Sequence, residues 1–267
     1  MLIVGERINT SRKQMKEAVT ERDREAILSE ARNQMDSGAG FIDVHAASSQ
    51  RGRESDDLTW ILDILQDGLP EIRVCIDTTD PETLAEALKR VRQDPLINSI
   101  TGERSCFEAM APLLRGRGCS VVALCIDDRG IPNSAEQVLE NAATLVNGLE
   151  NLGVPRDRIY VDPVIQAVST NTGAALVALE AMETIRRKLE GVHLICGLSN
   201  VSFGLPRRHL LNRTFLALAM KAGLDAAIVD PLDRKLMSTL RATAVLLDQD
   251  PYCQAYTRAH RTHQLEE

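Results

Sequence analysis

Short apolar runs alternate with longer amphipathic stretches eight times along this chain, and this alternation constrains the fold more than any other feature. A run of about four to seven apolar residues between turn signals marks a buried strand, and an amphipathic stretch of about 10 to 25 residues marks a crossover helix. The predicted strands are Leu2–Val4, Phe41–Val44, Arg73–Asp77, Leu96–Ser99, Ser120–Ile126, Arg158–Asp162, His193–Gly197 and Ala226–Val229. The first helix is expected over 11–37, ended by the Gly38–Gly40 break, and the second over 55–66. Pro81 lies in the first turn of the third, where its missing N–H costs nothing. Further helices are expected over 104–116, 134–152, 171–189, 209–221 and 233–247. Repeated β-α units give a parallel sheet. Eight of them in 267 residues match one barrel of about 250 residues. The predicted fold class is therefore α/β, a single (β/α)8 TIM barrel over residues 1–250, followed by a polar, frayed tail over 251–267.

Charge and composition then narrow the partners. With 31 basic against 38 acidic residues the net charge is −7, which disfavours nucleic acid, whose binding needs clustered cations to neutralise phosphate. One Trp, three Tyr and four Phe leave little material for base-stacking platforms. No apolar run approaches the roughly 18 residues of a membrane span, and the N-terminus lacks the basic and apolar regions of a secretory signal. The six cysteines form no Cys-x-x-Cys pair. Reduced thiols in a cytoplasmic protein are expected, without a disulfide framework or an intrinsic metal.

Side chains alternate between the two faces of a strand, so the polar residues at strand ends can be sorted. In the third strand Val74 and Ile76 share one face, leaving Cys75 and Asp77 on the other; the fourth pairs Leu96 with Asn98, and the sixth leaves Tyr160 with Asp162. Asp77, Asn98 and Asp162 then converge at the C-terminal mouth of the barrel, where active sites of this fold lie. The alternative is that each caps its own turn, as Asp and Asn often do. Two carboxylates and an amide suit a planar heterocycle with adjacent N–H donors, because a carboxylate accepts two parallel bonds and an amide both donates and accepts.

Six segments extend this reading. Gly5-Glu6-Arg7-Ile8-Asn9, Cys75-Ile76-Asp77-Thr78-Thr79, Ile97-Asn98-Ser99, Tyr160-Val161-Asp162-Pro163, Gly197-Leu198-Ser199-Asn200-Val201-Ser202 and Leu211-Asn212-Arg213-Thr214-Phe215-Leu216 occur in that order. Together they resemble the pterin-binding methyltransferases that act between methyltetrahydrofolate and corrinoid proteins, including the folate domain of cobalamin-dependent methionine synthase. The resemblance runs from the first strand to about Tyr256. It implies a dihydropteroate-synthase-like barrel that moves a methyl group between N5 of tetrahydrofolate and the cobalt of a corrinoid, in either direction. Tetrahydrofolate and 5-methyltetrahydrofolate would be substrates, cobalamin would come on a separate corrinoid protein, and the enzyme would be a homodimer.

The resemblance also implies residue roles. Asp77, Asn98 and Asp162 would hold the pterin, and Asn200 would reach N5 and stabilise charge there during transfer. Glu6, Asn9, Asp43, Ser199 and Arg207 would line the site. The second strand ends Asp43-Val44-His45-Ala46-Ala47, where relatives often carry Asn, and His45 is read as a structural imidazole. Two other functions stay open: a dihydropteroate-synthase-type condensation of a pterin pyrophosphate with p-aminobenzoate, and a folate-binding subunit without turnover.

Overall fold

The computed structural model describes residues 1–47 and 53–266. Eight parallel strands are present: β1 Leu2–Asn9, β2 Phe41–His45, β3 Val74–Asp77, β4 Leu96–Thr101, β5 Ser120–Leu124, β6 Ile159–Asp162, β7 His193–Leu194 and β8 Ala226–Val229. They follow one another around the sheet in the order β7-β6-β5-β4-β3-β2-β1-β8. The ring is completed by the Gly197–Ile228 bridge and by the Ile228 N–H, which donates to the Cys196 carbonyl at 2.9 Å. β7 is shorter than expected because residues 195–197 leave the regular ladder to make this closure.

The helices are α1 Lys13–Thr20, α2 Arg24–Asp36, α3 Glu54–Gly68, α4 Pro81–Arg90 and α5 Arg104–Met110. They continue as α6 Ala135–Asn151, α7 Ala174–Lys188, α8 Arg208–Lys221, α9 Arg234–Leu246 and α10 Gln254–Arg261. The helix expected over 11–37 is two helices. Arg22 takes a left-handed conformation (φ 57°), and the Asp23 carboxylate accepts from the Ala26 N–H at 3.0 Å, capping a new start. The tail is not frayed over α10. Ala259 is buried there, and the Glu266 carboxylate pairs with Arg234 of α9 at 2.9 Å.

Two apolar layers follow from the alternation of side chains. Val4, Phe41, Cys75, Leu96, Val122, Ile195, Ala226 and Ile228 fill the barrel. Val44, Val74, Ile76, Ile97, Val121, Ile159 and Val161 belong instead to the layer between strands and helices. Strands buried on both faces read as near-continuous apolar runs, which is why the eight runs were visible in the sequence. Cys75, Leu96 and Tyr160 belong to the inner cluster, so the predicted parity of β3, β4 and β6 holds.

Two strands depart from even pairing. β1 gains one residue on β2 between Gly5 and Ile8, and β4 gains one on β5 between Ile97 and Ile100. Such bulges re-aim side chains near active sites. The first lies at Glu6 and Arg7; the second lies at Asn98 and Ser99, whose connecting peptide is cis.

Candidate active site

β2, β3 and β4 carry one polar cluster at the mouth. His45, Asp77 and Asn98 stand level across the three strands. Asn98 Nδ2 donates to Asp43 Oδ1 at 3.3 Å. His45 Nδ1 lies 3.2 Å from Asp77 Oδ2, close enough for an ion pair but not aligned as a hydrogen bond. Asp43 is 2% exposed, and its carboxyl is pushed up to about 7, first by burial and then by the Asp77 charge. His45 is raised above the ordinary imidazole value, chiefly by Asp77. Behind the cluster the Thr78 hydroxyl donates to Glu54 at 2.6 Å, and the Thr78 N–H donates to the Asn98 carbonyl at 3.1 Å.

Asp162 stands on the other side of the mouth, 7% exposed. Burial pushes its carboxyl up to about 7, while the backbone N–H groups of Val164 and Gly197 oppose that shift. The Val164 N–H donates to Oδ1 at 2.8 Å, and Val164 itself sits at φ +66°. A β-branched residue in the left-handed region is strained by about 1–3 kcal/mol and persists where its surroundings hold it. Pro163 before it and the Asp162 carboxylate beside it are those surroundings.

Gly197 connects Asp162 to Asn200. After Gly197 the chain makes a 3-10 turn, Leu198–Ser202, in which the Asn200 N–H donates to the Gly197 carbonyl at 3.2 Å. Asn200 is exposed, and a Cβ on Gly197 would sit 3.1 Å from its Nδ2. The glycine therefore leaves room for the amide to turn. Arg208 braces the turn: Nη2 donates to the Ser199 carbonyl at 2.7 Å and Nε to the Ser202 hydroxyl at 3.1 Å.

The predicted residues thus fall into groups. Asp43, Asp77 and Asn98 meet; Asp162 and Asn200 meet through Gly197. Glu6 and Ser199 line a neighbouring rim cleft of about 200 Å³ with Arg208, Asn212 and Asp230. Glu6 is pushed up to about 7 by burial and then by Asp230. Asn9 serves a turn, accepting from the Ser11 N–H at 2.9 Å. Arg207 is exposed and left-handed (φ 54°, ψ 39°) just before α8, and it is Arg208 that enters the loop. Asp230 and Arg208 were missed. The parity applied to β3, β4 and β6 would have found Asp230, which follows the inward Ala226 and Ile228 two residues on. Among the described residues no group of three or more His, Cys, Asp or Glu could hold a metal, and no helix is long and apolar enough to cross a membrane.

Arg7 fixes the rim structurally. It pairs with Glu30 at 2.5 Å and Asp230 at 2.6 Å, and its N–H donates to Gln34 Oε1 at 3.1 Å. Gln34 is fully buried, and a Cβ on Gly5 would land on that same oxygen. Gly5→Ala is expected to cost about 1–3 kcal/mol, the usual penalty of overpacking, read as a lower midpoint in denaturant unfolding. An unchanged midpoint would show that Gln34 can move away freely.

Known proteins are similar to this chain to different extents. The methylcorrinoid:tetrahydrofolate methyltransferase of Eubacterium limosum is 35% identical over 263 residues, covering 98% of this chain and 96% of the relative. The methionine synthase of Mycobacterium tuberculosis is 29% identical over 242 residues, 86% of this chain but only 20% of that protein. Among solved structures, dihydropteroate synthase from Xanthomonas albilineans in complex with 7,8-dihydropteroate superimposes with a TM-score of 0.64 at 18% identity, with 92% of each chain covered. At that identity the likeness concerns the barrel alone. The family model for pterin binding enzymes matches residues 5–230, a span from the β1 bulge to the end of the last strand, and the chain belongs to that family.

Proposed function

We propose that this protein is a methyltransferase that moves a methyl group between a corrinoid and N5 of tetrahydrofolate. The observation that carries the reading is the 35% identity over nearly the whole chain to a methylcorrinoid:tetrahydrofolate methyltransferase. That relative's name puts the corrinoid as donor and tetrahydrofolate as acceptor, and we assign the same direction here.

In this reading Asp162 and Asp77 accept N–H bonds from the pyrimidine edge of the pterin, and Asn98 completes the edge with its amide. N5 attacks the methyl carbon, the methyl–cobalt bond breaks with its electron pair left on the corrinoid, and N5 gives up its proton to solvent. Transfer in the opposite direction passes through the same transition state. An amide that turns its oxygen to the N5–H, where positive charge builds, therefore serves both directions, and Asn200 stands on the turn that can supply it. The protein needs no nucleophile of its own; it must position two substrates and stabilise charge.

The corrinoid is a substrate here and arrives on a separate corrinoid protein. A homodimer is part of the proposal: Leu176 of α7 and Leu210 and Leu218 of α8 are exposed, an apolar surface that a second copy would cover. Six free cysteines suit a reducing cytoplasm.

The test mixes the protein with methylcobalamin and tetrahydrofolate and follows the corrin absorbance. Loss of methylcobalamin that requires both protein and tetrahydrofolate, with 5-methyltetrahydrofolate formed in equal amount, is expected. Folate binding without turnover, even with a corrinoid protein supplied, would overturn the enzyme reading. Condensation of a pterin pyrophosphate with p-aminobenzoate would replace it with the synthase reading.

A further inference from the structure

His45 was read from sequence as a structural imidazole, yet it stands in the mouth level with Asp77 and Asn98. Its ring is half-buried, and Nδ1 is shielded from solvent 3.2 Å from a carboxylate oxygen. The charges acting on it are Asp77 from β3 and Asp43 from its own strand. Its register partner on β1 is Asn9, which carries no charge, and β4 contributes the neutral Asn98. The Cys75 thiol, hydrogen-bonded to Asp43, is held neutral by burial. One imidazole therefore faces two carboxyls in a confined site.

Two carboxylates this close repel, and such a pair retains a proton to higher pH than either would alone. A cation against them opposes that. We infer that His45 is a positioning residue that sets the charge on the Asp43–Asp77 pair, and through it the folate contacts of Asp77 and Asn98, near neutral pH. The inference rests on the methyl-transfer reading only in naming folate as the ligand. Its logic is direct. A protonated carboxyl accepts N–H bonds less well than a carboxylate, and Asn98 donates its amide to Asp43. With His45 charged, the pair gives up its last shareable proton at lower pH. With His45 removed, Asp43 holds its proton longer, and the hydrogen bond that anchors the Asn98 amide is weaker.

The sign follows. Above the pH at which the imidazole loses its proton, wild-type protein and a variant without the imidazole carry the same charge here and bind folate alike. As pH falls, the wild-type ring charges and the two diverge, with the variant weaker. An opposite charge at this range displaces a carboxyl by about one unit or more, so the ratio of dissociation constants is expected to reach about tenfold. Any contribution from Asp162 is common to both proteins and cancels in the ratio.

The experiment measures tetrahydrofolate dissociation constants for wild type and His45→Asn from about pH 6 to about pH 9, on both sides of a raised imidazole value. A ratio of about ten at the acidic end that approaches one at the basic end supports the inference. A ratio that is constant with pH, whether near one or large, is what a merely structural ring would give and overturns it. Should the variant not fold, the imidazole of the wild-type protein is titrated by NMR, with the His45 resonance assigned through the backbone. A midpoint above the ordinary value, lowered in Asp77→Asn, supports the inference; a midpoint at or below about 6.5 overturns it. If wild-type protein binds no folate at any pH, the methyl-transfer reading fails by itself, and the titration still decides the role of His45.

Discussion

Asp162→Asn is expected to weaken tetrahydrofolate binding by roughly 10- to 150-fold, because charge-assisted hydrogen bonds contribute about 1.5–3 kcal/mol. The side chain is 7% exposed at the barrel mouth and is held by the Val164 and Gly197 N–H groups. An amide keeps the shape and the Val164 contact but replaces one acceptor by a donor that opposes the pterin N–H groups. Calorimetric titration of the folded variant is the measurement, and unchanged affinity would remove Asp162 from the site. A pH effect accompanies it. Burial has pushed the Asp162 carboxyl up to about 7, so in the free protein the acceptor form is lost as pH falls through that value. Wild-type affinity should therefore strengthen as pH climbs from below 7 to above it, and Asp162→Asn should lose that contribution.

Asn200→Ala is expected to reduce single-turnover methyl transfer by about 10²–10³-fold, the usual cost of losing one charge-stabilising hydrogen bond, with little change in folate affinity. The amide is exposed on a short turn, has space over Gly197 to rotate, and sits on a backbone braced by Arg208. A side chain that only held the turn would show its loss differently, as a lower melting temperature with near-normal turnover in the cold. A transfer rate within about threefold of wild type, far short of the expected loss, would exclude Asn200 from the chemistry.

Much of this site could be read from residues alone, for a physical reason. Strands buried on both faces show as apolar runs, and the alternation along them sorts inward from outward residues without any coordinates. That reasoning brought Asp77, Asn98 and Asp162 to the mouth, and extended by two residues along β8 it also yields Asp230. What it could not see are shifts of a single residue. The β1 bulge moves Glu6 and Arg7 to different surroundings, and nothing in Gly5-Glu6-Arg7-Ile8-Asn9 marks an inserted residue. Arg207 and Arg208 are neighbours of identical type. The left-handed turn at Arg207, which sends Arg208 into the loop, depends on how α8 packs. The C-terminal helix was hidden because its packing face is little more than Ala259, held in place by polar contacts to α9.

The closure between β7 and β8 has a mechanical consequence. Every other junction in the ring is a ladder of paired residues, whereas here Gly197 and Ile228 form a lone bridge, flanked by the Asp225 N–H to Leu194 and Ile228 N–H to Cys196 bonds. A hoop with one soft joint concentrates deformation at that joint. Strain on the rim would fall first there, beside the Asn200 turn, where the strands share the fewest pairs. The side chains assigned to gripping the pterin thus stand on laddered strands, while the one assigned to assisting transfer follows the sparsely paired joint.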